Sequence, residues 1–443
     1  MAGVDKAAIA WSIAIVAIAV GITAASPSFD TNISDNLTSS NQKTSIPDNE
    51  QIHQGYSATA DQYEVDGKII SNVDVTATLW NPREKSQEQI AERAEFLNTQ
   101  FELTRTDSQQ KRADAAREKY SDAIVINSLL PSSVDIAANT PEHFEKALKR
   151  NIDGGITLVS ASVYAFPGDG QLSPSDRILA SAKVMEKLDL ESVIDTESIR
   201  QAKTDGKMIV MFNSQGADYF VDDPDMLEKL KIMRMHVANF AYNKNNPLAG
   251  GGSQQDMGVT DLGKEFIQKS NEIGVVVDCS HSSTQTCIDA AKYSQKPVIA
   301  SHSNPFSLHP VSRNISDEGL IALGDSGGTV CSVGLGNYMN KQLDASPESL
   351  AIHVDYVGDL IGRDKTCFAT DYTHNYVEFL NDFISKVDIF PPEKGFGAPT
   401  QNLGPEHVWG VVGVLEDDYD WSEEEIRGFL GENLLRVYDA NWN

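Results

Sequence analysis

The pattern of apolar and polar residues changes character near residue 122. Beyond it, short β-branched runs alternate with stretches whose apolar residues recur every three or four positions. These are the marks of buried strands and amphipathic helices. The strand-like runs fall at 124–127, 156–163, 208–215, 236–243, 275–281, 297–303, 329–335 and 366–372. Leu262, Phe266 and Ile267 mark one intervening helix, and Gly274 is placed to close it with a left-handed cap. Repeated strand–helix steps of this kind predict an α/β fold, a (β/α)8 TIM barrel over 122–443, with a doubly wound open sheet as the alternative.

The first 121 residues read differently. Residues 7–25 carry no charge, follow Lys6 and are long enough for a bilayer core. They read as a signal peptide cut near residue 25 or as an uncleaved signal anchor, within a segment 1–26. The apolar run exceeds a usual signal core, which favours the membrane anchor and an extracytoplasmic remainder. Residues 27–60 are polar and read as a disordered tether, with Asn32 and Asn36 in glycosylation sequons. In 61–121 a hairpin is expected around Asp66 and Gly67, followed by alternation at Val73, Val75, Ala77 and Leu79. Ser86 and Gln89 form a capping box opening a helix with the stripe Ile90, Ala94, Leu97 and Phe101, expected to run towards Tyr120. At the other end, the Pro- and Gly-rich stretch 391–405 reads as a lid, a rim loop or a passive insertion. Ser422 with Glu425 opens the closing helix.

Charge removes one class of partner. With 64 acidic against 36 basic residues the net charge is −28, and no basic cluster could neutralise the phosphates of a nucleic acid. Cys279, Cys331 and Cys367 fall in strand-like runs and read as small apolar core residues. The spacing allows Cys331 to pair with Cys367 without deciding it. The triple glycine at 250–252 reads as a flexible loop, lacking the context of a phosphate-binding motif.

Candidate chemistry concentrates between 275 and 314. The runs VVVDCSH and PVIASHS each end on a histidine, His281 and His302, one strand–helix–strand step apart. Parallel strands would bring both imidazoles to the carboxyl edge of the sheet, where α/β proteins hold ligands and metals. A lone histidine there is more often a hydrogen-bonded core residue. Two in register favour a metal or catalytic role.

The segments MGVTDLGKEFIQKSNEIGVVVDCSH, PVIASHSNPFSL, SRNISDEGLIAL, GGTV, CFATDY and EEEIRGFLGENLLRVYD resemble the membrane (renal) dipeptidases, peptidase family M19, across about 122–439. That resemblance implies a metallo-dependent hydrolase barrel with two zinc ions on its C-terminal face, dipeptide substrates and a homodimer. It implies His281 and His302 as zinc ligands, with Gln215 where the family carries a bridging glutamate. Asp371 matches the proton-transferring acid, Arg313 the carboxylate-binding arginine, and Tyr242 a residue facing the scissile carbonyl. The family opens its barrel with His-x-Asp, whereas VINSLLP here sets Asn127 and Leu129 at those ligand positions. Leucine cannot bind zinc and an amide is a weak neutral donor. One zinc at most is therefore expected, with Asp371, His374 or His309 as substitutes for the missing donors and His236 as a structural residue at the opposite face. Two functions remain: a dipeptidase-like metallopeptidase with a reduced, mononuclear site, or an inactive relative that binds peptides or other carboxylates or serves as a surface structural protein.

Overall fold

The computed structural model of the protein describes residues 105–443 except 255, 256, 342, 343, 387, 392–399 and 443. It also describes 85, 86, 88, 89 and 92, and the backbone of 62–65 and 68–71. The apolar segment 7–25 and the polar tether lie outside the described residues. Among the described residues no helix is long and apolar enough to cross a membrane. Gln62–Val65 and Lys68–Ser71 pair antiparallel, with Val65 opposite Lys68.

Eight parallel strands form the barrel: β1 Ile126–Leu130, β2 Leu158–Tyr164, β3 Ile209–Ser214, β4 Met235–Asn239, β5 Val276–Asp278, β6 Ile299–Ala300, β7 Thr329–Val333 and β8 Thr366–Ala369. They pair in chain order, and a two-residue strand at Glu191–Ser192 adds to β3. The seam between β8 and β1 is nearly closed. There the Asp371 N–H donates to the Leu129 carbonyl at 3.3 Å and the Thr370 N–H to Asn127 Oδ1 at 3.1 Å. The strands are shorter than the apolar runs suggested, because several runs continue into the loops that carry the site.

Each strand presents alternate residues inward. Ile126, Leu158, Ile209, Met211, Val237, Val276 and Ile299 belong to one buried apolar cluster inside the barrel. Val125, Val159, Val210, Ala238, Val277, Ala300, Val330 and Phe368 belong to another, under the surrounding helices. The next inward positions towards the carboxyl ends are polar: Ser128, Ser160, Asn213, Asn239, Asp278 and Ser301, all buried. The barrel is thus oil-like at its floor and polar at its mouth, which is where a site can be built.

Side-chain caps set the helix starts. Thr140 caps Pro141–Gly154 in a capping box, Ser173 caps Pro174–Lys187, Thr260 caps Asp261–Ile273 and Ser283 caps Thr284–Tyr293. Gly274 closes its helix in the left-handed region at φ 72°. The helix expected to continue unbroken to Tyr120 instead restarts: Thr106 caps Asp107–Lys119 with Gln109 completing the box. All four cysteines are paired, contrary to the reading of core thiols. Cys331 faces Cys367 across the register of β7 and β8, with Cα atoms 4.1 Å apart. Cys287, on the first turn after Ser283, returns against Cys279 with Cα atoms 5.3 Å apart.

Candidate functional site

A cleft of about 830 Å³, open solvent included, lies over the carboxyl ends of the strands. Gln215, Tyr242, His281 and Asp371 line it, with Phe166, Tyr338 and Tyr376 among the aromatic residues of its walls. Asn337, Thr400 and Asn402 add polar groups at the rim, so the described end of the Pro- and Gly-rich stretch contributes to the cleft. A rim loop is one of the readings given for that stretch; what the sequence did not show is the Phe166, Tyr242 and Phe390 cluster, whose ring centroids lie 5.1–5.8 Å apart.

His281 and His302 converge, with ring centroids 4.8 Å apart. His281 leaves β5 in the left-handed region at φ 63°, and Asp371 leaves β8 at φ 51°. Non-glycine residues held there store strain that the surroundings must enforce. For His281 the surroundings include the triple glycine. The Gly252 N–H donates to the His281 carbonyl at 2.5 Å and the Ser283 N–H to the Gly250 carbonyl at 2.8 Å. A Cβ on Gly250 or Gly251 would run into the carbonyl of Met257 or Asn243. The run is a packed cradle rather than a flexible loop, a role invisible until its partner strand is known.

Gln215 Oε1 sits 3.1 Å from His302 Nε2, while its Nε2 donates to Ser162 Oγ at 2.8 Å. Ser162 and Ser160 bracket Asn213, each 2.8 Å from its amide. Behind His302, Nδ1 lies 2.7 Å from Ser301 Oγ, and the Ser301 hydroxyl donates to Asp278 Oδ2. The Asp278 Oδ1 accepts from the N–H groups of Ser280 (2.9 Å) and Ser301 (3.0 Å). Tyr242 stacks on His281 at 3.9 Å and 21°.

Burial pushes both imidazoles well below the ordinary histidine range, with Arg313 adding to the effect. They are neutral at neutral pH, the form that donates a lone pair. Burial lifts the Asp371 carboxyl to about 6 against the pull of Arg313. Burial also holds the Tyr242 phenol well above its usual value, so it is a proton donor throughout the physiological range.

Arg313 is not on the cleft surface. It is 3% exposed, donating from Nη1 to Ser303 Oγ and from Nη2 to the His302 carbonyl, both at 2.8 Å. Its Nε has no partner, and the carboxylates of Asp371 and Asp278 act on it only through their charge. Asn127 does not join the group either. It faces outward, donating to Asn151 Oδ1 (2.9 Å) and Thr370 Oγ1 (3.0 Å). The inward neighbour is Ser128, whose hydroxyl lies 2.5 Å from the Ser301 carbonyl across the barrel and 2.8 Å from that of Phe368. Leu129 is buried in the inner apolar cluster. His374 bonds Tyr372 at 3.3 Å and lies beside His143, and His309 sits in the loop after β6; neither lines the cleft. His236 is tied to Lys231 at 2.9 Å and to the Val193 carbonyl at 3.3 Å, far from the mouth.

Residues 100–389 match the model of the membrane dipeptidases, peptidase family M19. The chain belongs to that family. Dipeptidase tcpJ of Claviceps purpurea is 24% identical over 314 residues, 66% of this chain and 74% of that protein. An amidohydrolase from Pseudomonas aeruginosa is 26% identical with a TM-score of 0.63, covering 74% of this chain and 99% of its own. The probable dipeptidase PvdM of the same organism is 18% identical with a TM-score of 0.58, covering 75% and 99%. A metallopeptidase from Rhodobacter sphaeroides, liganded with a phosphinate mimic of L-Ala-D-Ala, is 16% identical with a TM-score of 0.56, covering 72% and 100%.

The dipeptidase family's metal dependence can be tested against the donors present. Among the described residues no three His, Cys, Asp or Glu side chains gather in a metal-holding group. A two-ion centre does not fit. One set of donors does converge: His281, His302 and the Gln215 carbonyl oxygen. With Asp278 ionised, the Ser301 hydroxyl donates to it and accepts from His302 Nδ1, leaving a lone pair on Nε2 facing that of Gln215 Oε1. In that state two facing lone pairs are stable around a shared cation or with the Gln215 amide turned over. Burial pushes the Asp278 carboxyl towards its protonated form, in which the relay reverses and the His302 Nε2–H donates to Gln215 Oε1. The donor set therefore suits a single ion, with an uncharged third ligand.

Proposed function

We propose that this dipeptidase-family protein hydrolyses dipeptides or short peptides in the cleft, through a centre reduced to one zinc ion. The convergence of His281, His302 and Gln215 at the barrel mouth carries the reading. An ion held by those three residues would supply a water made acidic enough to act near neutrality. Asp371, which lines the same cleft with a carboxyl poised near 6, is suited as its carboxylate to take a proton from the attacking water and pass it to the leaving amine. Tyr242, fixed by its stacking on His281, offers a phenol donor to charge developing on the scissile carbonyl. The buried Arg313, without a carboxylate of its own, biases the cleft towards a substrate carboxylate. The dipeptidases among its relatives support the substrate class. Paired cysteines support a location outside the cytoplasm, where disulfides persist.

A second reading, a dipeptide or carboxylate binder without turnover, is favoured because no acidic side chain joins the two histidines in a metal-holding group among the described residues. Metal analysis with a hydrolysis assay separates the two. About one equivalent of zinc, and turnover abolished in His281→Ala, is expected. Gln215→Glu, which adds the missing negative ligand, should tighten zinc binding at least ~10-fold. Absence of both zinc and turnover across L- and D-dipeptides would leave the binding reading in place.

A further inference from the structure

One residue of the site belongs to none of the roles above. Asn243 follows Tyr242, and its side chain lies between His281 and the stretch that follows β8. Its Oδ1 is 2.8 Å from His281 Nδ1, and its Nδ2 is 3.2 Å from the Ile389 carbonyl. A backbone carbonyl can only accept, so the NH2 end of the amide must face Ile389. The oxygen end must then face His281, and the proton between the two residues has to sit on Nδ1. That leaves Nε2 as the bare nitrogen. Turning the amide over would oppose two acceptor oxygens at Ile389, and its NH2 would suit only an unprotonated Nδ1 at His281, so the Ile389 carbonyl decides the orientation.

The backbone around Asn243 is equally fixed. Its carbonyl accepts from the Ser253 N–H at 2.7 Å and from Ser253 Oγ at 2.6 Å. Ser253 follows directly on the glycine cradle that holds the His281 carbonyl. Phe390, next to Ile389, packs edge-on against Tyr242, the ring stacked on His281. His281 is therefore gripped on its Nδ1 edge, its ring face and its backbone by one connected set of residues.

We propose that Asn243 is a positioning residue which, anchored by the Ile389 carbonyl, locks His281 in the Nδ1–H tautomer and presents Nε2 as a lone pair. The lock deepens the function proposed above but does not depend on it, since a metal ligand and a general base need the same tautomer. Its test therefore reads the imidazole itself rather than turnover.

In the full-length protein with 15N-labelled histidine, kept at neutral pH with a chelator, long-range proton–nitrogen correlations distinguish the two ring nitrogens. The His281 signals are those lost in His281→Gln. A protonated Nδ1 and an unprotonated Nε2 are expected. Asn243→Leu, which neither accepts nor donates, should shift His281 to the Nε2–H form or to an exchanging mixture. Asn243→Asp keeps the acceptor and should retain Nδ1–H. An Nε2–H tautomer in the unaltered protein overturns the proposal outright, whether or not the leucine variant folds. So does an unchanged His281 spectrum in a folded Asn243→Leu.

Discussion

At the scale of single residues, Asp371 carries the most testable property. It leaves β8 at φ 51°, and burial holds its carboxyl at about 6, against 3.8 for an ordinary aspartate. The native state thus binds this proton more tightly than the unfolded chain does. The stabilisation from that bound proton is complete below about pH 4. It is lost as the pH rises through about 6 and the charge must form inside the cleft. Asp371→Asn removes the charge but keeps the shape. Thermal melts should show the variant more stable than the parent at pH 8 and equal to it at pH 4; equal melting at both would show that the carboxylate is already well solvated. Turnover by the parent should rise between pH 5 and 7 with this ionisation, and the rise should vanish in the variant.

Among the elements, β1 is where the sequence and the structure part. Alignment to His-x-Asp put Asn127 at a ligand position, yet the period-2 rule already pointed elsewhere: Ile124, Ile126 and Ser128 share a face, and Asn127 lies on the other. Its amide ties β1 to β8 and to the helix Pro141–Gly154. Asn127→Ala should therefore cost about 1–3 kcal/mol in urea unfolding, from groups left buried without partners, and leave zinc content unchanged. A fall in zinc with stability intact would restore the ligand reading. The barrel, and the placement of His281, Gln215, Tyr242 and Asp371 at its mouth with His302 beside them, were legible because strand ends and motif residues are local in sequence. The restart at Thr106 was not read, although the Thr106–Gln109 capping spacing carries it. The disulfides, the glycine cradle and the burial of Arg313 were not legible. Each depends on which segment lies opposite, and apolar periodicity does not encode that.

For the molecule as a whole, the two-tier interior explains how an acidic chain supports a site built from neutral donors. Among the described residues few acidic side chains are buried, and beside Asp278 and Asp371 the mouth is lined mainly by hydroxyls, amides and imidazoles. The inner disulfide adds an asymmetry. Cys331–Cys367 staples β8 to β7, but only hydrogen bonds join β8 to β1 across the seam. Fluctuations that part the cylinder should therefore be one-sided: β1 swings away while β7 and β8 stay together. Native-state deuterium uptake should reach the amides of 126–130 well before those of 329–333 and 366–369, and Cys331→Ala with Cys367→Ala should narrow that gap. Even exchange on both flanks would mean the staple has no say in how the cylinder breathes. A barrel hinged in this way would loosen first on the side where β1 leads into the cleft.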